Sequence, residues 1–342
     1  MKRIVSVIIP VRNEADTIES TLDNITNQDY PAENFEIIVA DGVSDDGTTQ
    51  LIREYSKRNT KVKLVLNRAR IVPTGLNLAL SIAKGDVIVR MDAHSFYPHN
   101  YISTLVDALY RYDVSNVGCT IKTIPGADTS IGVSIAIALS SMFGVGNSLF
   151  RTGVTKPTYV DTVPFGCFKK EVFETIGLFD EELVRNQDDE FNARMIKRGY
   201  KILLLPDIEC SYQARATLKD LTRMLYQYGL FKPLVNKKIG AVATIRQLIP
   251  LLFVFYIFFG ALMSLLSPLV TAVFLLGLLF YLVVDVIFAI KQSVAKKDIF
   301  LIPYLLITYP AMHISYGLGY IAGLWRLYAH KKKLGKDMKL SR

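Results

Sequence analysis

Three apolar stretches near the C-terminus, 247–266, 268–290 and 299–325, constrain this 342-residue chain more than any other feature. Each is long enough for a helix of about 20 residues, the length that crosses a hydrocarbon core of ~30 Å. Such a chain divides into a water-facing part before residue 246, membrane segments over 246–326 and a basic tail at 327–342. Membrane lipids are therefore its first expected partners, and a multi-pass protein of the cell (inner) membrane is the expected location.

Charge divides along the same line. Residues 241–342 hold 11 Lys and Arg against 3 acidic residues, which leaves 29 basic and 28 acidic residues before them. The formal net charge of +9 thus belongs almost wholly to the membrane end. That pattern points to anionic headgroups and to no nucleic-acid partner. Cys119, Cys167 and Cys210 are odd in number and widely spaced, which suggests neither a disulfide framework nor a zinc site. The N-terminal apolar run is broken by Pro10 and Arg12, too early for a signal peptide. A buried first strand and a cytoplasmic catalytic part are expected instead. Positive charge marks both the 291–298 loop (Lys291, Lys296, Lys297) and the tail (Arg326, Lys331, Lys332, Lys333, Lys336) as cytoplasmic. Three crossings cannot satisfy both, so either the tail is outside or the Pro- and Gly-rich last segment is re-entrant. Asp285, inside the second segment, is a functional candidate or a snorkelling end group.

Over residues 1–125, short Val- and Ile-rich runs at 4–9, 35–40, 62–66, 86–91 and 115–121 alternate with helical patterns near 15–27, 45–58, 74–84 and 99–112. This is the pattern of an α/β domain with a mostly parallel sheet, whose ligands bind at the carboxyl ends of the strands. The pattern then loosens: a helical run near 129–150, strands near 164–169 and 200–205, and helices near 170–176 and 188–198. The 131–150 run is about long enough to span, but its Gly and Ser content predicts a buried or membrane-touching segment. Residues 217–245 are an amphipathic region, either a helix lying in the interface or one docked on the catalytic core, which itself is expected over 1–216.

Four polar constellations fall at the strand ends. Pro10, Val11, Asn13 and Glu14 follow the first strand, where a helix N-terminus offers N–H groups to an anion; Glu14 also suits the helix dipole with no ligand at all. Asp41 closes the second strand and can accept hydrogen bonds from a ribose or base, while Ser44 or Asp45 can cap the next helix. Asp92 and His94 would share one side if the strand continued, as ligands for a divalent cation on a diphosphate. Asp188, in the run Asn186-Gln187-Asp188-Asp189-Glu190, can serve as a general base toward a hydroxyl, or simply as part of an acidic helix start.

In this order and at these positions, the four motifs resemble those of family 2 glycosyltransferases of the GT-A (nucleotide-diphospho-sugar transferase, Rossmann-like) fold, over roughly residues 4–235. The resemblance implies a donor site at Pro10, Val11, Asn13, Glu14, Asp41, Asn77, Asp92 and Ala93, a Mg²⁺ or Mn²⁺ ion on Asp92 and His94, and Asp188 as catalytic base, with Arg194 matching a family arginine. The runs Pro73-Thr74-Gly75-Leu76-Asn77, Arg90-Met91-Asp92-Ala93-His94 and Phe143-Gly144-Val145-Gly146-Asn147 are similar to the succinoglycan-type exopolysaccharide glucosyltransferases. His94 stands where the family has a second carboxylate, and Gln187 where it has Glu. The QxxRW motif of processive synthases is absent, the sole tryptophan being Trp325. The implied function is inverting transfer of a hexose from a UDP-sugar to a polyprenyl-diphosphate-linked saccharide, with a polysaccharide assembly complex as a further partner. A polyprenyl-phosphate monosaccharide synthase and a non-catalytic subunit of such a complex are the alternatives.

Overall fold

The alternation of apolar runs and amphipathic stretches translates closely into elements. In the computed structural model, which describes residues 3–242 and 244–330, the chain runs β1 (Val5–Val11), α1 (Ile18–Thr26), β2 (Phe35–Asp41), α2 (Thr48–Arg58), β3 (Val62–Leu66), α3 (Val72–Ile82), β4 (Val87–Arg90), β5 (Ser95–Phe96) and α4 (Tyr101–Arg111). It continues as β6 (Asn116–Ile124), α5 (Ser130–Ala138), α6 (Met142–Val145), α7 (Leu149–Thr152), β7 (Thr158–Tyr159), β8 (Cys167–Lys169), α8 (Glu171–Ile176), α9 (Gln187–Lys197) and β9 (Ile202–Gln213). The helices α10 (Leu218–Ile239), α11 (Ile249–Met263), α12 (Pro268–Ala295) and α13 (Ile302–Trp325) follow. Two compact units result: Met1–Lys122 with Gly153–Tyr212, and Thr123–Thr152 with Gln213–Arg342. The expected division at residue 216 thus misses the excursion 123–152, which groups with the C-terminal helices.

The first unit is built on one sheet of order β3-β2-β1-β4-β8-β6-β9-β5, with β7 paired to β9. The strands β3, β2, β1 and β4 are parallel, as the alternation predicts. Beyond them the expectation of a mostly parallel sheet is corrected. The short β8 runs antiparallel to both β4 and β6, and β9 antiparallel to β5 and β7. β1 is flanked on both sides and its Val5, Val7, Ile8 and Ile9 are fully buried, which is why this segment reads as a continuous apolar run. One core cluster joins Ile8 and Ile38 of the sheet to Leu76, Ala79 and Leu80 of α3, Phe173 of α8, and Phe191 and Met195 of α9. The parallel register sets Val11 beside Asp41 and Ile8 beside Arg90, so the ends of β1, β2 and β4 open on one edge.

In the second unit the 131–150 run is broken into α5, α6 and α7, each far too short to span. Three helical stretches, Ile245–Met263, Pro268–Ala295 and Ile299–Tyr328, are long and apolar enough to cross a membrane. The Pro- and Gly-rich last segment forms one unbroken helix, α13, with Pro303 in its first turn and Pro310 tolerated inside. Its glycines serve packing. A Cβ on Gly319 or Gly323 would collide with the carbonyls of Tyr226 and Leu230 in α10, so glycine lets the two helix backbones touch. The amphipathic α10, capped by Thr217 and ended by Gly240 in the left-handed region, therefore lays its apolar face on α13, a partner that neither expected placement included. The tail residues 331–342 lie outside the described residues.

Candidate active site

At the ends of β1 and β2 the polar side chains of two loops close on each other. Asn13 and Asp45 form a reciprocal pair, the Asn13 amide donating to Asp45 Oδ1 at 2.8 Å and accepting from the Asp45 N–H at 3.1 Å. The N–H groups of Asn13, Glu14 and Ala15 donate to Ser44 Oγ, Thr48 Oγ1 and Asp46 Oδ2 at 2.9, 2.8 and 3.1 Å. These are the orphan donors expected to bind an anion, and side chains of the neighbouring loop already satisfy them. Neither Ser44 nor Asp45 caps α2; Asp46 does, accepting from the Thr48 N–H at 3.0 Å. Burial raises the Asp46 pKa, but the hydrogen bonds from Thr48 and Ala15 outweigh it and hold the carboxyl below its ordinary value.

Asp41 organises this turn from beneath. It is fully buried, and it accepts from Ser44 Oγ at 2.5 Å and Thr49 Oγ1 at 2.6 Å. Asn13 and Val43 sit at φ of 56° and 54°. Such left-handed conformations in non-glycine residues cost energy and persist only where neighbours fix them.

The end of β4 has a different character. Arg90, missed as a functional residue although its motif was read, is buried and faces two carboxylates. Its guanidinium donates to Asp92 from Nε and Nη2 at 3.3 Å, and its Nη1 lies 3.9 Å from Asp188 Oδ2. Burial lowers the Arg90 pKa, but Asp92 and then Asp188 outweigh this and raise it above its ordinary value. One fixed cation therefore holds the two best acidic candidates of the sequence side by side. The signal that could have found it is Arg90 itself: an arginine inside a buried strand needs a paired partner. Asp188 stands in the first turn of α9, its Oδ1 accepting from the Asp189 N–H at 3.0 Å, with its side chain 38% exposed. Tyr97 receives the Asp92 N–H on its hydroxyl at 2.7 Å, and burial followed by the Asp92 charge keeps that phenol protonated far above neutrality.

Several other expected residues are engaged elsewhere. Asn77 is buried, and its amide donates to the Phe179 carbonyl and to Glu181 while its oxygen accepts from the Phe179 N–H. Ala93 is buried, its carbonyl accepting from Thr21 at 2.7 Å. Arg194 pairs with Glu190 and donates to the Ile176 and Leu178 carbonyls, closing the end of α8. Pro10 and Val11 are the last residues of β1. The extended conformation assumed beyond β4 stops at Arg90, and a turn at Ala93 and His94 follows. His94 accordingly faces Glu14, 3.9 Å from Nδ1 to Oε1, and meets the ring of Tyr212 edge-on. Among the described residues no three His, Cys, Asp or Glu side chains converge. The donor set that exists, a partly exposed Asp92 with His94 at the next turn, fits a divalent cation that takes most of its ligands from a diphosphate.

A sequence model described as glycosyl transferase family 2 matches residues 6–177, half of the chain. The chain belongs to glycosyl transferase family 2. It is 29% identical over 322 residues to a dolichyl N-acetyl-alpha-D-glucosaminyl phosphate 3-beta-D-2,3-diacetamido-2,3-dideoxy-beta-D-glucuronosyltransferase of Methanococcus voltae, covering 92% of this transferase and 95% of that one. It is 29% identical over 263 residues to the succinoglycan biosynthesis protein ExoA of Rhizobium meliloti, covering 76% and 78%. Among solved structures it is similar to the mannosyltransferase PcManGT from Pyrobaculum calidifontis in complex with GDP-Man and Mn²⁺, with a TM-score of 0.61, 22% identity and coverage of 95% and 88%. The fold of this family 2 transferase is thus GT-A, as its motifs implied, and its reaction is glycosyl transfer.

Proposed function

We propose that this transferase moves a sugar, glucose or another hexose, from a UDP-sugar to a hydroxyl of a lipid-linked saccharide, with inversion, at the cytoplasmic face of the cell membrane. The observation that carries the reading is the buried Arg90 facing both Asp92 and Asp188. The names of the relatives from M. voltae and R. meliloti, a dolichyl-linked acceptor in one and a polysaccharide in the other, support the acceptor class.

The nucleoside diphosphate lies along the ends of β1 and β2, over Pro10, Val11 and the Asn13–Glu14 turn, and reaches Asp41 by taking over one of the hydroxyl bonds now made by Ser44 or Thr49. Asp92, with His94, would hold a Mg²⁺ or Mn²⁺ ion, which offsets the charge gathering on the departing diphosphate. Asp188 takes the proton of the acceptor hydroxyl as its oxygen attacks the anomeric carbon in line. The bond from that carbon to the diphosphate breaks, and its electron pair leaves with the nucleotide. Arg90 sets its fixed positive charge against both carboxylates, which places Asp188 to act as the base.

The test is transfer from radiolabelled UDP-glucose, UDP-galactose or UDP-N-acetylglucosamine to lipid-linked saccharide, with Mn²⁺, by the wild type, Asp188→Asn and Asp92→Ala. The reading requires both variants to lose transfer. Activity of Asp188→Asn on a bare polyprenyl phosphate would replace it with a monosaccharide synthase, in which the phosphate attacks and no base is needed. Absence of both transfer and donor hydrolysis in the wild type would point to a non-catalytic subunit of an assembly complex.

A further inference from the structure

The packing of the second unit is at odds with three upright spans. The distal halves of α11 and α12 pair with each other: the Tyr256 hydroxyl donates to the Phe274 carbonyl at 2.8 Å, and a Cβ on Gly277 would meet the Tyr256 ring. Among the described residues nothing else buries them. In α11 only Leu251 and Val254 are buried, and in α12 only Asp285, Ala289 and Ser293. All five belong to the end of the hairpin where the chain enters α11 and leaves α12.

That end is where α13 lies. Leu305 and Tyr309 cluster with Ala289, and His313 bonds Tyr281 at 2.9 Å and meets the ring of Phe253. Gly317 then rests against Pro250. Between Leu305 and Gly317 the helix advances about 18 Å along its own axis. An upright third span starting beside Ala289 would by then stand level with Gly277 and Tyr256. Gly317 instead lies against Pro250 and Val254 in the first turns of α11, about 3–9 Å short of Tyr256 along that helix. Beyond it, Gly319 and Gly323 touch only α10 among the contacts their Cβ positions define. So α13 crosses the base of the hairpin obliquely.

Its companion has the composition of a surface helix. Packed along α13 from Leu221 to Asn236, α10 carries Lys219, Asp220, Arg223, Lys237 and Lys238. A spanning α13 would draw these charges into hydrocarbon, where an ionised side chain is strongly disfavoured. At the headgroup level the cations meet anionic lipid instead. The buried polar atoms left without a partner in this region, both Asp285 oxygens, Ser293 Oγ and the Tyr309 hydroxyl, also lie at the hairpin base.

We infer that the chain crosses the membrane twice, through α11 and α12, and that α13 lies with α10 in the interface against anionic headgroups, returning the C-terminal tail to the side on which it entered. This rests on the membrane-bound reading above. It removes the conflict in the sequence, because the 291–298 loop and the tail then share the cytoplasmic side.

The test uses the full chain in sealed right-side-out and inverted membrane vesicles, with single reporter cysteines and an impermeant maleimide, the buried native cysteines giving the background. Leu265→Cys should label only in right-side-out vesicles, and Lys296→Cys and Ser341→Cys only in inverted ones. Labelling of Ser341→Cys together with Leu265→Cys, opposite to Lys296→Cys, overturns the inference and leaves the membrane reading intact. Release of the chain by alkaline carbonate overturns the membrane reading itself. The unmodified protein, reconstituted in liposomes and sorted by protease access to residues before 213, gives a second measurement. Iodide outside the vesicles should quench the sole tryptophan, Trp325, only in the population whose N-terminal unit is digested; quenching only in the protected population overturns the inference.

Discussion

The two edges of the active site are built to opposite standards of tightness. At the ends of β1 and β2, Asn13, Glu14, Ala15, Asp41, Ser44, Asp45, Asp46, Thr48 and Thr49 are tied among themselves by bonds of 2.5–3.1 Å, with one of 3.3 Å from the Ser44 N–H to Asp41. At the end of β4, Arg90 reaches Asp92 at 3.3 Å and Asp188 at 3.9 Å. A group whose hydrogen bonds are short gains little from a ligand, whereas one in longer contact with its charged partner can strengthen its bonds when a ligand arrives. The first edge is a frame, and the second is where charge is exchanged.

Asp188→Asn should break this comparison most sharply. Loss of the base is expected to lower kcat by about 10²–10⁴-fold with an unchanged melting curve, because the side chain is partly exposed. A fully active Asp188→Asn would mean that the loose edge is idle. Next, Arg90→Met should cost stability as well as rate. It leaves Asp92 and Asp188 facing each other without their cation, and removing one partner of a buried pair costs about 3–5 kcal/mol, measurable by denaturant titration alongside transfer. Asp92→Asn should also lose some stability, because buried Arg90 then keeps only Asp188 at 3.9 Å, while raising the Mn²⁺ concentration for half-maximal transfer at least tenfold, roughly, in a metal titration.

The frame should answer differently. Asn13→Ala is expected to lose about 1 kcal/mol of stability and to raise the donor KM, with kcat little changed at a temperature where the variant stays folded. The smallest effect sits at the other end of β2, where Glu36 accepts from Ser6, Lys63 and the Lys84 N–H. Burial raises its pKa, but these partners outweigh that and depress it. A depressed carboxylate contributes stability above its unfolded pKa of about 4.3 and loses it as pH falls through the folded value. The stability gap between wild type and Glu36→Gln should therefore be full at neutral pH and close in acid.

How much of this was legible in sequence follows the range of the forces involved. The parallel strands β1 to β4 and the helices between them are set by local periodicity, and they appear within a few residues of where Val, Ile and amphipathic spacing put them. β5 and β7, two residues each, exist only because distant β9 pairs with them, and no local pattern marks such strands. Asp92 and Asp188 were readable as acidic residues at a strand end and a helix start, but their common link to Arg90 is a contact across nearly a hundred residues. Asn77 looked like a ligand-facing polar residue and proves to hold the 179–181 turn, a use that only the tertiary partner discloses. The glycines of α13 read as interruptions because composition cannot tell a broken helix from a closely packed one.

The excursion at 123–152 has a consequence for the order in which the protein can be made. Every strand of the sheet has been synthesised by residue 213, before the first apolar helix, α11, begins at Ile249. The sheet can close on the ribosome while no helix long and apolar enough to cross a membrane has yet emerged. The apolar residues of α5, Ile135, Ile137 and Leu139 among them, have no such luck: their cover is Leu221, Met224, Leu305 and Met312, translated much later. A chain cut at residue 216 to obtain a soluble enzyme would complete the sheet and leave that patch permanently bare, so it should precipitate unless those residues are made polar.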